Sequence, residues 1–128
     1  MIIVDTSAWI EFLRDTGSPV CKKLARSLDK DLAVSDPIRM ELLAGARDEA
    51  HLEQLRRLLA RYTHIHSIPA DYELAGILYR QCRANGETVR KLMDCLIAAI
   101  AIRQELPLMH QHVDFKVLER HTELKLTQ

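Results

Sequence analysis

The stretch MIIVDTSAWIEFL, residues 1–13, decides the fold. Met1 to Val4 is an apolar, β-branched run without alternation, the pattern of a strand buried on both faces, and such strands belong to parallel sheets covered by helices. Asp5 ends the run. Thr6 or Ser7 can then cap a helix that carries Trp9, Ile10, Phe12 and Leu13. A central strand running straight into a helix is the first half of a β-α-β unit, and the carboxyl ends of strands in open parallel sheets are where ligands bind. Asp5 stands at such an end.

The same alternation continues outward. Ser18 and Pro19 are a cap and first-turn pair for a second helix reaching Leu28, and Leu32 to Val34 reads as a second strand. Ser35 or Asp36 with Pro37 starts a helix carrying Ile38, Glu41, Leu42 and Gly45. Asp48 opens an amphipathic helix whose Leu52, Leu55, Leu58 and Leu59 follow a 3.6 period, with Glu53, Arg56 and Arg57 outside. His64 to Ile68 is a third strand, and Pro69 leads into a helix from about Ala70 to Ala84 that Asn85 and Gly86 terminate. Val89 to Glu105 reads as a helix apolar nearly all round, Pro107 to His110 as a strand, Asp114 to Leu118 as a short helix and Leu124 to Leu126 as a last strand. Strands separated by helices predict an α/β fold with a mostly parallel sheet.

With 128 residues, 48% hydrophobic and 28% charged, the chain suits one domain spanning 1–128 with a real core. Eighteen basic and eighteen acidic residues cancel, which excludes a globally cationic nucleic-acid binder. Any nucleic-acid contact must be local. Cys21, Cys82 and Cys95 form no CxxC pair and read as reduced thiols. An acid at residue 5 does not suit an export signal, and the apolar run Leu96 to Ile102 is far shorter than the roughly 20 residues of a membrane span. The expectation is a cytoplasmic protein without a membrane segment.

The informative residues are acids in apolar places. Asp94 sits among Leu92, Met93, Leu96, Ile97 and Ile100, where an isolated carboxylate would cost several kcal/mol, so it needs a cation, donors or a cleft. The bland alternatives are an ion pair with Arg90 or a helix start near residue 92. Glu41 lies one turn into its helix and can reach the strand ends, unless Arg39 or Arg47 solvates it. Asp114 follows the strand Pro107 to His110, where it can also be a simple cap, as can Asp5. Gathered together, these charges repel by about 4 kcal/mol per pair at about 4 Å and an effective dielectric near 20, and a divalent cation relieves that. Oxygen ligands favour Mg2+ or Mn2+, whose chemistry suits phosphodiester hydrolysis. Arg14, Arg39, Arg90, Lys91 and Lys116 are candidate RNA phosphate contacts, or ordinary solvated charges. His64 with His66, and His110 with His112, are spaced to share a strand face, but no third-ligand motif accompanies them.

Four segments in order, IIVDTSAWIEFL, SDPIRMELLAGA, VRKLMDCLIAAIAI and LMHQHVDFKVL, make the chain similar to the PIN-domain ribonucleases of VapC type, the toxin halves of bacterial toxin-antitoxin pairs. The resemblance implies a three-layer α/β/α sandwich with an acidic pocket at the strand ends, and Mg2+- or Mn2+-dependent endonuclease action on RNA. It places Asp5, Glu41 and Asp94 at the core metal-coordinating positions, Asp114 at the acid of the last motif, and Ser7 at a hydroxyl that orients water or the neighbouring acid. It further implies a homodimer and a VapB-like antitoxin that blocks the pocket. One position departs from the pattern. Close relatives often carry two acids around DxDF, and here His112 holds the first place, leaving Asp114 as the only acid of the segment. A phosphoacceptor signalling domain would want adjacent acids after the first strand, whereas Asp5 is followed by Thr6. A catalytically silent PIN-like module binding RNA or protein shares the sequence pattern and stands as the alternative.

Overall fold

A computed structural model describes residues 1–127. Four strands, β1 (Ile2–Val4), β2 (Leu32–Ser35), β3 (Thr63–Ile65) and β4 (Leu108–Met109), form one sheet in the order β3-β2-β1-β4. Every neighbouring pair is parallel, with Ile3 opposite Ala33 and Leu108, and Val34 opposite His64. Successive residues of a strand face opposite sides, and Ile3 and Val4 are both fully buried, so helices cover both faces of the sheet. The predicted α/β class with a parallel sheet is the observed one.

Seven helices supply that cover: α1 (Thr6–Leu13), α2 (Pro19–Ala25), α3 (Asp36–Ala44), α4 (Glu49–Leu59), α5 (Pro69–Ala84), α6 (Leu92–Gln104) and α7 (Val113–His121). Trp9, Leu24, Ile97, Ile100, Phe115 and Leu118 are completely buried beside the strands. In α6 every residue from Asp94 to Ala101 is buried, as its unbroken apolar character requires. It is the central helix, packed between α5 and α7.

Boundaries differ from the sequence reading where side chains claim the backbone. α2 stops at Ala25 rather than Leu28, because the Ser27 N–H turns back to Leu24 and tightens the chain out of the helix. β3 covers 63–65 rather than 64–68, since beyond Ile65 the Ser67 N–H goes to Asp36 and the His66 carbonyl accepts from Arg103. α6 begins at Leu92 rather than Val89, because the Arg90 N–H is held by Asp114. β4 keeps only two of the four residues expected, and the segment Leu124 to Leu126 makes a single parallel bridge from Leu126 to Leu108 instead of a strand. α7 runs on to His121. The ends of β1 and β4 and the starts of α1, α6 and α7 converge on one place.

Candidate metal centre

Asp5 leaves β1 directly and is 3% exposed. It caps α1, its Oδ2 accepting from the Ser7 N–H at 2.9 Å and from Ser7 Oγ at 2.5 Å. Ser7 Oγ in turn accepts the Gln111 N–H at 2.9 Å, which ties the segment after β4 to the end of β1. Cap and site are therefore served by one side chain. Burial pushes the Asp5 carboxyl above its ordinary range despite the Ser7 bonds, which act the other way.

Glu41 projects from α3 and is half-buried. Its Oε1 accepts from Thr6 Oγ1 at 2.8 Å, and among the described residues neither Arg39 nor Arg47 pairs with it. Asp114, in the first turn of α7, is buried and receives the Arg90 N–H on Oδ2 at 3.0 Å. It is His112, not Asp114, that caps this helix, with Nδ1 accepting the Asp114 N–H at 3.4 Å.

Asp94 lies in the first turn of α6 with its side chain 10% exposed. The helix does start at residue 92, yet Asp94 still points into the protein, and no ion pair with Arg90 forms among the described residues. Burial first, then the charges of Asp5, Asp114 and Glu41, push its carboxyl up to about 7, against the opposing pull of Lys91. Its Oδ2 is buried without a hydrogen-bond partner. His112 Nδ1 stands 3.3 Å from that oxygen and 3.8 Å from Asp114 Oδ2. Asp94, His112 and Asp114 each place a donor atom within 4.8 Å of the other two. Asp5 and Glu41 stand outside that tight set and act on it through charge. An orphaned buried carboxylate oxygen among three further acids fits a divalent cation, which would offset the crowding that Lys91 opposes only in part.

The candidate RNA contacts are unevenly placed. Arg14 lines a groove with Glu41, Ile10, Leu13 and Arg47 on one side of the acids. Lys116 lines another groove with Lys23, His110 and His112. Lys91 is near enough to act on Asp94, Arg90 engages Asp114 through its backbone, and Arg39 meets no acid of the site. The histidine pairs separate: His64 turns to the Leu59 carbonyl and His66 to Asp36, while His110 packs edge-on against Phe115. Only His112 joins the acids. In the sequence it stood out as the residue at the first acidic place of the last motif, but its approach to Asp94 joins distant segments and has no local signal.

A PIN domain family model matches residues 2–120. VapC ribonuclease Mb1587 of Mycobacterium bovis and ribonuclease VapC11 of Mycobacterium tuberculosis are each 41% identical to the chain, over 98% of its length and 96% of theirs. The chain belongs to the PIN-domain family of VapC ribonucleases. The fold of this VapC-family protein is shared by VapBC-1 from nontypeable Haemophilus influenzae, at a TM-score of 0.78 and 18% identity over 100% of this chain and 98% of the other. It is shared likewise by VapBC2 from Rickettsia felis bound to a promoter DNA fragment, at a TM-score of 0.74 and 22% identity over 99% and 98% of the two chains. The fold expected from the resemblance is the fold found.

Proposed function

We propose that this VapC-family protein is a metal-dependent endoribonuclease that hydrolyses RNA phosphodiester bonds as the toxin of a type II toxin-antitoxin pair. The observation that carries the reading is Asp94 Oδ2, buried and unpartnered among Asp5, Glu41 and Asp114. Asp5, Glu41, Asp94 and Asp114 would hold Mg2+ or Mn2+. Bound there, the ion would lower the pKa of water and offset charge on the phosphate undergoing hydrolysis. The protein's own groups orient the ligands: Ser7 fixes Asp5, Thr6 fixes Glu41, and the Arg90 N–H fixes Asp114. Arg14, Lys116, Lys91 and Arg90 would bind backbone phosphates around the cut, while Arg39, which pairs with none of the acids among the described residues, would not.

The solved relatives that carry toxin and antitoxin together support a VapB-like antitoxin as partner. We take the protein to act in the cytoplasm as a homodimer. Among the described residues no helix is long and apolar enough to cross a membrane. The test is cleavage of RNA by the purified chain with Mg2+ or Mn2+ and with EDTA. Cleavage should require the ion and vanish in Asp5→Ala and Asp94→Ala with the circular dichroism spectrum retained. Wild-type cleavage by either variant, or in EDTA, would overturn the assignment, and RNA binding without cleavage would identify a silent module.

A further inference from the structure

The acids account for one half of the centre; His112 belongs to the other. Its Nδ1 stands 3.3 Å from Asp94 Oδ2 and 3.8 Å from Asp114 Oδ2, three atoms that can each offer a lone pair to a cation. Among the described residues the one hydrogen bond of Nδ1 is the long 3.4 Å contact from the Asp114 N–H, which a cation would displace, and the side chain is 31% exposed. From this geometry we infer that His112 is a nitrogen ligand at a position set between Asp94 and Asp114, making this centre selective for a first-row transition ion, Mn2+ among those named above, over Mg2+. The inference rests on the metal-dependent reading proposed above and specifies its donor set.

The chemistry is that of ligand type. Mg2+ takes oxygen in a near-ideal octahedron and relies on ligand charge, so an imidazole nitrogen serves it less well than it serves a first-row transition ion, and of those ions Mn2+ is the one that also suits the carboxylates. A ring in place of a carboxylate removes one negative charge from a cluster already crowded with acids. That loss weakens Mg2+ most, while the nitrogen donor compensates a transition ion.

The decisive experiment is electron spin echo spectroscopy of Mn2+ bound to the full chain, paired with calorimetric titration of Mn2+ and Mg2+. Nitrogen-14 modulation from a coordinated imidazole is expected in the wild type and in His110→Ala, and is expected to disappear in His112→Asn and His112→Asp. Asn and Asp are both good helix caps, so α7 should persist, which circular dichroism checks. In His112→Asp the preference for Mn2+ over Mg2+ should narrow by about tenfold, the scale on which perturbed ligation changes metal affinity. Bound Mn2+ without nitrogen modulation, or modulation that survives in both His112 variants, overturns the inference while leaving a ribonuclease that still cleaves RNA with Mn2+. No Mn2+ binding and no cleavage would remove both this inference and the reading beneath it.

Discussion

Asp94 holds its proton in the metal-free protein to about pH 7, while the unfolded chain releases it near 3.8. The folded state therefore binds the extra proton between these values, and stability declines as pH rises through that window, with the full penalty present above it. Asp5, also raised by burial, adds a slope of the same sign. In EDTA, the wild type should melt at a lower temperature at pH 8 than at pH 5, and Asp94→Asn should flatten most of that difference and match or exceed the wild type at pH 8. A variant as pH-sensitive as the wild type would show that the crowding of acids around Asp94 is not felt. Ser7 tests the opposite kind of contact, one that stabilises. Ser7→Ala removes the hydroxyl shared by Asp5 and the Gln111 N–H, and thermal melts should register a loss of about 1 to 2 kcal/mol together with slower cleavage.

The elements are positioned by polar clasps that the chain hides in different degrees. Asp71, buried in the first turn of α5, accepts the Ile68 N–H and a two-pronged contact from Arg103 at 2.6 and 3.0 Å, which fastens the start of α5 to the last turn of α6. Arg103→Ala strands that carboxylate in the interior and should destabilise the protein by about 3 kcal/mol, while cleavage per folded molecule, measured well below the melting point, stays near wild type. Loss of activity out of proportion to unfolding would mean the clasp also sets the metal centre. Neither partner stands out in the sequence, because Asp71 looks like an ordinary first-turn acid and Arg103 like a helix-end cation. The strand β1 and helix α6, by contrast, declare themselves through unbroken apolar runs. β3 is legible only roughly, since Thr63 and His64 are exposed on an edge strand and carry no hydrophobic pattern to set its limits.

Across the whole molecule, Asp5, Glu41 and Asp94 were readable as candidates because acids beside apolar segments are anomalous, and their coupling follows from the parallel topology. Asp114 was readable with them, and His112 stood out only as the residue at the first acidic place of the last motif; its approach to Asp94 comes from the tertiary meeting of α6 and the start of α7. The same global view bears on RNA. With eighteen charges of each sign the protein has no general attraction for a polyanion, so binding must come from the cations flanking the acids. Arg14→Ala and Lys116→Ala should each weaken RNA binding alike for different sequences and reduce the slope of log affinity against log salt by about 0.7, the value for one phosphate contact on a single strand. Arg39→Ala, at a side chain that forms no ion pair with the acids among the described residues, should leave the slope unchanged. Fluorescence anisotropy over a salt series, run with Asp94→Ala so that the RNA stays intact, separates these cases: an Arg39 effect as large as that of Arg14 would mean that the RNA follows a different path over the surface.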